Sequence, residues 1–206
     1  MVFFLTFSKL PKSYLYINYK GGDKDDCNNY RPISLLPAIG KLFEKLISHR
    51  LTAHLDSHNI LSHHQYGFRK NYSTELAVND IHEKLLNNLD KGLNSCTVFL
   101  DLAKAFDSVD HTILLRKLYK YGIRGITLKL LESYLSNRSQ FVKVNGVKSL
   151  LHYILYGVPQ GSILGPLLFL IFINDLPDAT NSLLNYLLMT HFCVHKMLTL
   201  LYWNQK

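Results

Sequence analysis

Residues 97–107 read Thr-Val-Phe-Leu-Asp-Leu-Ala-Lys-Ala-Phe-Asp, and the interpretation of the whole chain starts from them. Apolar and β-branched residues run directly into Asp101, which predicts a buried strand over 96–101 that ends in a carboxylate. A charge there is costly unless a partner compensates it, and a divalent cation is a common partner where phosphates are handled. A second interpretation stays open, in which Asp101 caps the next segment and Phe106 belongs to the core.

The composition is that of a folded, basic protein. The chain has 206 residues, of which 48% are hydrophobic and 18% charged, with a formal net charge of +8. A basic surface favours nucleic acid or another polyanion as partner, although solubility alone also accounts for such a charge. Composition therefore points to a nucleic-acid-binding protein without requiring one.

The cysteines and the apolar runs of the sequence indicate in which cellular compartment the protein is expected. The cysteines Cys27, Cys96 and Cys193 are far apart and form no C-x-x-C pair, which argues against a zinc knuckle or a disulfide framework. An intracellular protein is expected. The apolar run over 163–173 is too short to span a bilayer and is predicted to be a buried helix, so no membrane association is expected.

Hydrophobic spacing predicts a mixture of helices and strands. Apolar residues at helical spacing predict helices over 38–55 and 74–90, around 113–121 and 128–135, and over 163–173. Residues 1–20 are irregular, 21–29 form a polar turn, 30–34 are extended, and 140–149 predict a hairpin around Asn145-Gly146 with a type I′ turn. Because these elements mix without strict alternation, the predicted fold class is α+β, with two lobes divided near residue 95.

A glycine-bearing loop begins the stretch Gly157-Val-Pro-Gln-Gly-Ser-Ile-Leu-Gly-Pro-Leu-Leu-Phe169. Its glycines, Gly157 and Gly161, let the backbone approach a ligand closely. Gln160 is able to hydrogen-bond a base or sugar edge, and the helix that follows is able to face a phosphate. The simpler interpretation is an ordinary loop and helix cap.

Basic residues form a second group of candidates. Arg69 and Lys70 lie beside a glycine turn in Gln65-Tyr-Gly-Phe-Arg-Lys-Asn-Tyr-Ser-Thr74, where they either clamp a triphosphate or form a solvated basic turn. Arg31 has a similar pair of interpretations, as a contact to a template backbone or as a surface charge. The residues alone do not decide between them.

Four blocks of the chain resemble the reverse transcriptase domain of non-LTR (LINE-like, jockey-type) retrotransposons, in the order found in that family. The blocks are Asn29-Tyr-Arg-Pro-Ile-Ser-Leu-Leu36, Gln65-Tyr-Gly-Phe-Arg-Lys70, Phe99-Leu-Asp-Leu-Ala-Lys-Ala-Phe-Asp-Ser-Val109 and Gly157-Val-Pro-Gln-Gly-Ser-Ile-Leu-Gly-Pro166. The resemblance covers about residues 20–186. It implies the fingers and part of the palm of a right-hand polymerase with the thumb missing, two Mg²⁺ ions, an RNA template and a DNA primer.

The resemblance also implies roles for individual residues. Asp101 matches the catalytic aspartate that binds metal, and Phe106 matches the ring that lies beside the incoming sugar and excludes a 2′-hydroxyl by volume. In the same way Arg69 and Lys70 fall in the fingers block, and Gln160 and Gly161 fall in the loop of the nucleotide pocket.

The chain departs from the family where an aromatic-Ala-Asp-Asp motif is expected. Residues 184–191 read Leu-Asn-Tyr-Leu-Leu-Met-Thr-His, and no acidic residue follows Asp178. Two of the three metal carboxylates are therefore absent. We expect an RNA-directed DNA polymerase domain that is catalytically inactive as it stands; a nucleic-acid-binding remnant and an unstable product are the alternatives.

We hypothesise that a one-base deletion just after Tyr186 accounts for this departure. The string TTT GCT GAT GAC ACA encodes Phe-Ala-Asp-Asp-Thr, and loss of one leading T leaves TTG CTG ATG ACA, which encodes Leu-Leu-Met-Thr, residues 187–190 as they stand. The predicted organisation is a degenerate segment over 1–20, a fingers-like part over 21–95, a palm-like part over 96–186 and an out-of-frame tail over 187–206. The hypothesis fails if no alternative nucleotide frame past Tyr186 continues sequence of this family.

Overall fold

The computed structural model describes residues 13–95, 102, 104–144 and 146–179. The chain divides into two compact units, one of Met1–His58 and Phe106–Phe172, the other of Asn59–Ala105 and Ile173–Lys206. Each unit therefore combines segments from both lobes that the sequence suggested. The assignment of fingers-like and palm-like parts, like the tail over 187–206, stays a prediction.

The first unit is built on a five-stranded sheet. Its strands are β1 (Ser13–Tyr19), β2 (Tyr30–Leu35), β3 (Ser139–Val144), β4 (Val147–Lys148) and β5 (His152–Tyr153). The order is β2-β1-β3-β4, and β5 pairs with β3. β1 runs antiparallel to β2 and parallel to β3, with Leu15 opposite Ser34 on one side and opposite Val142 on the other.

Strand β1 corrects the expectation of an irregular segment over 1–20 for residues 13–19, while residues 1–12 lie outside the described residues. Along it Leu15 is buried while Tyr16 is 53% exposed, which is the alternation of a strand with one face covered. Its parallel partner β3 lies far along the chain, so no sequence pattern near β1 predicts this pairing. The hairpin of β3 and β4 is confirmed by the register of Val144 opposite Val147; Asn145, in its turn, lies outside the described residues.

Besides three short 3-10 helices (Cys27–Asn29, Ala105–Ser108 and Leu176–Ala179), the described elements include five α-helices. They are α1 (Ala38–Ser57), α2 (Thr74–Asp90), α3 (His111–Lys120), α4 (Gly125–Leu135) and α5 (Leu164–Ile173). The Asp110 carboxylate accepts a hydrogen bond from Ile113 N at 2.9 Å and caps α3. The mixture of helices and strands confirms the α+β class, while the strand predicted over 96–101 lies outside the described residues.

The core of the first unit surrounds α5. Leu164, Leu168, Phe169 and Ile171 are each at most 1% exposed. A helix that is apolar on all sides is stable only when it is buried, so the run over 163–173 is a core helix, as expected. Among the described residues, no helix is long and apolar enough to cross a membrane.

Helix α1 is confirmed, but its buried face is not its most apolar one. Its buried residues are Gly40, Glu44, Leu51 and Leu55. The apolar residues Ile39, Leu42 and Leu46 are instead 61%, 59% and 55% exposed. Helical spacing predicts that a helix forms, but which face packs depends on the surface that it meets.

Candidate functional site

The loop that follows β5 lies against the segment that precedes α3. Gly157 N donates to Val109 O at 2.7 Å, and Val158 N donates to Phe106 O at 2.9 Å. Gly157 has a φ of +86°, and a Cβ built on it would lie 2.9 Å from Asp107 Cα. Glycine is required there both by the backbone angle and by the close approach of the two segments.

Gln160 and Asp107 face each other across this contact. The Gln160 side-chain amide donates toward both carboxylate oxygens of Asp107, with Nε2 at 3.1 Å from each. On its other side, the Gln160 carbonyl accepts a hydrogen bond from Ser34 N of β2 at 2.8 Å. Three blocks that are distant in sequence therefore meet at one place in the first unit.

A cleft of about 200 Å³ opens at this meeting point. Its polar lining consists of Ser34, Asp107, Arg138, Gln140, Tyr156 and Gln160. Arg138, which the sequence did not single out, is the cationic member of this set. Burial lowers the pKa of the Arg138 guanidinium, and the Tyr134 and Glu44 side chains act in the opposite direction. A guanidinium beside polar amides is suited to receive a phosphate or a carboxylate.

A buried carboxylate fixes the far end of the same loop. Glu44 of α1 is 2% exposed, and its Oε1 accepts from the Tyr134 hydroxyl at 2.7 Å. Its Oε2 accepts from Ile163 N at 2.7 Å, directly before α5 begins. Burial, and then the Glu44 charge, raise the pKa of Tyr134, which keeps the phenol a donor. Glu44 thus ties α1 to the start of α5.

Family membership follows from a comparison with known proteins. A family model described as reverse transcriptase (RNA-dependent DNA polymerase) matches residues 20–195. The chain belongs to this family. The resemblance to jockey-type elements is confirmed by its relatives. The chain is 38% identical over 169 residues to the probable RNA-directed DNA polymerase from transposon BS of Drosophila melanogaster, covering 79% of this chain and 18% of that protein.

A second relative is the RNA-directed DNA polymerase from mobile element jockey of Drosophila melanogaster, 36% identical over 168 residues, or 82% of this chain. The match spans only 18% of that relative's length. Among solved structures, a partial Cas6-RT-Cas1–Cas2 complex matches with a TM-score of 0.49 and 20% identity, over 93% of this chain and 29% of that one.

The residues of the reverse transcriptase domain that are predicted to form a nucleotide pocket take up different positions. Phe106 is 7% exposed, and its ring centroid lies 5.2 Å from that of Phe169 in the core of the first unit. Gly161, with a φ of +89°, is exposed beside Gln160 and approaches Ile33 of β2. The structure therefore places Gln160 and Gly161 on the cleft loop and Phe106 beneath it, and their roles toward a nucleotide stay predictions.

The second unit of the reverse transcriptase domain holds the basic pair. Arg69 Nη1 donates to Ser62 O at 2.7 Å, and its guanidinium lies 4.2 Å from the centroid of the Tyr72 ring. Asn174 supports the same segment, because its Oδ1 accepts from Ser62 N at 2.8 Å. Arg69 is thus engaged within its own unit, while Lys70 is exposed.

The side chains of two predicted site residues of the reverse transcriptase domain, Asp101 and Arg31, lie outside the described part of the chain. Asp101 lies outside the described residues, as does the stretch over 184–191. Arg31 lies on β2 opposite Asn18, and its side chain is outside the description. Their predicted roles stay predictions.

Reverse transcriptases depend on divalent metal ions, which need a set of oxygen ligands. In the described part of the chain, no three His, Cys, Asp or Glu side chains come together as a metal site. Asp107, the carboxylate that lines the cleft, turns both oxygens to the Gln160 amide. The described side chains do not make up the several oxygen ligands that two Mg²⁺ ions need.

Proposed function

We propose that this chain is a reverse transcriptase domain fragment that binds nucleic acid inside the cell and does not polymerise DNA as it stands. The observation that carries the proposal is the polar cleft formed by Asp107, Gln160 and Arg138, because Gln160 belongs to the loop that the family resemblance assigns to the nucleotide pocket. RNA template and DNA primer are the partners that family membership favours. The ancestral reaction is metal-dependent nucleotidyl transfer.

The expected inactivity rests on the carboxylates of the sequence. Two metal ions that lie close together beside a triphosphate need several carboxylate ligands, and Asp101 matches only one of them. No acidic residue follows Asp178 to supply the others. Losing such ligands removes several kcal/mol of transition-state stabilisation, and each 1.4 kcal/mol lowers a rate by about tenfold.

Primer extension tests the catalytic half of the proposal. With an RNA template, a DNA primer, and Mg²⁺ or Mn²⁺, we expect no template-dependent incorporation by the full chain. The variant Asp101→Ala should give the same background as the unaltered protein. Incorporation that Asp101→Ala abolishes would show an active polymerase and overturn this half.

Binding of a labelled RNA–DNA primer–template tests the other half. We expect affinity that falls with salt concentration, because Lys and Arg contacts to phosphates release counterions. Lys70→Ala should weaken binding and reduce the salt slope by about one unit, while the matched exposed lysine variant Lys91→Ala should leave both unchanged. Salt-independent or absent binding contradicts the proposal, and a non-cooperative melt of the chain would support the unstable product instead.

A further inference from the structure

An apolar groove in the first unit lies apart from the polar cleft and shares none of its lining residues. The groove has a volume of about 570 Å³ and lies between α1, the α3–α4 connection and α4. Leu46, Ile47 and Leu51 line it from α1, and Leu130 and Leu131 line it from α4. An apolar concavity of this kind suits a partner that brings apolar side chains.

Exposed apolar side chains continue the groove along both helices. Ile39, Leu42 and Leu46 are spaced three and four residues apart, so they form one stripe on α1 that leads into the groove. Ile126 on α4 is 61% exposed, one turn before the groove residue Leu130. Single exposed leucines are ordinary on a protein surface, whereas a continuous apolar stripe marks an interaction site.

The rim of this groove is basic. Arg50 and Arg124 line it, and the Arg124 guanidinium lies 4.9 Å from the centroid of the Tyr119 ring. Neither arginine forms an ion pair with a carboxylate among the residues that the structure describes.

The charges around the groove favour an acidic partner. On the same two helices, exposed lysines outnumber exposed acids. The lysines are Lys41, Lys45 and Lys129, and the acids are Asp56 and Glu132.

We propose that this groove binds an amphipathic helix of a protein partner, with apolar anchors on one face and Asp or Glu residues on its flanks. Apolar anchors spaced three and four residues apart would cover the stripe of Ile39, Leu42 and Leu46, which is how helices occupy grooves. Flanking carboxylates would pair with Arg50 and Arg124. Nucleic acid matches the rim charge but leaves the apolar stripe in water, so the surface favours a protein. The proposal is independent of nucleotide binding at the cleft.

A fluorescent peptide of about 18 residues tests the proposal, since shorter helices are marginal in water. The probe carries leucines on one helical face and glutamates beside them. One control peptide scrambles the same residues so that no apolar face forms, and a second replaces every glutamate by lysine. In fluorescence anisotropy with the full chain, we expect the designed peptide to bind about tenfold more tightly than either control.

Variants at exposed positions show where on the chain the designed peptide binds. Leu46→Glu and Arg124→Glu should each weaken binding of the designed peptide by about tenfold. The matched control is Leu89→Glu on α2, where the leucine is 70% exposed, and it should bind like the unaltered chain. Equal thermal melts of the three variants would show that folding is intact.

Four outcomes would overturn the proposal. Equal affinity for the designed and scrambled peptides would show that charge alone governs binding. Unchanged binding by Leu46→Glu would place the peptide elsewhere. RNA binding that falls with Arg124→Glu but not with Leu46→Glu, without peptide binding, would assign the surface to nucleic acid. Self-association in sedimentation velocity that Leu46→Glu abolishes would make the occupant a second copy of this chain.

Discussion

Glu44→Leu is expected to lower the free energy of unfolding by about 3 kcal/mol, because two groups lose their hydrogen-bond acceptor at once. Glu44 is 2% exposed, and the Tyr134 hydroxyl and Ile163 N each lie 2.7 Å from one of its oxygens. Leucine fills a similar volume but accepts no hydrogen bond. The loss is thus one of polar pairing rather than of packing.

Urea denaturation of the full chain measures this loss. Glu132→Leu is the matched control, since Glu132 lies exposed on α4 and its replacement should change the free energy of unfolding by less than about 0.5 kcal/mol. The double variant Glu44→Leu/Tyr134→Phe removes both partners of one bond, so it should lose less than the sum of the single variants. A loss in Glu44→Leu no larger than in Glu132→Leu would refute the role given to Glu44.

The same contact has a pH dependence of definite sign. Burial raises the pKa of Tyr134 in the folded chain, so the unfolded chain releases this proton at lower pH. Stability from this group is complete below the ordinary tyrosine pKa of about 10 and is lost as pH rises beyond it. Tyr134→Phe should lack this component when unfolding curves are compared between pH 8 and about pH 11.

Gly157→Ala is expected to cost about 3 kcal/mol and to open the contact between the cleft loop and the segment before α3. The added Cβ would meet backbone atoms that cannot turn aside, 2.9 Å from Asp107 Cα and 3.0 Å from Phe106 O. The φ of +86° adds the strain that any L side chain meets in that region.

Gly146→Ala separates the two causes of this loss. Gly146 has nearly the same φ, +85°, but a Cβ built on it meets nothing within 4 Å. Only backbone strain of about 1 kcal/mol is therefore expected there. Both variants are compared by urea denaturation, and equal losses would show that the close approach to Asp107 carries no energetic weight.

Local patterns in the sequence predicted the helices well, because each depends on neighbours along the chain. Helix α2 begins at Thr74 behind the Ser73 cap and ends at Asp90, as the apolar spacing indicated. Strand β1 was missed although its antiparallel partner β2 is close in sequence, whereas its pairing with β3 is remote and has no local signal. The buried face of α1 was not predicted either. Glu44 lies among apolar residues of this helix, and its partners come from α4 and the start of α5, which are distant in sequence.

Sequence motifs identified several residues of the site, but they did not predict how these residues are arranged in space. Gln160 and Gly161 were found from the loop pattern, whereas Arg138 follows a turn and carries no motif that marks it as part of the cleft. Only the fold brings Arg138 beside Asp107 and Gln160. For Arg69 the fold shows a partner, Ser62 O, that residue spacing alone did not indicate.

The close packing of Gly157 against Asp107 affects how genes for reverse transcriptase domains are recognised from their sequences. A motif search scores a residue that packs two segments together in the same way as a residue that takes part in catalysis. Glycine at position 157 favours closure of this loop, whether or not any nucleotide is ever joined. A copy that has lost its catalytic carboxylates can therefore keep this glycine for as long as the protein folds, and such copies will be counted as enzymes unless their aspartates are examined separately.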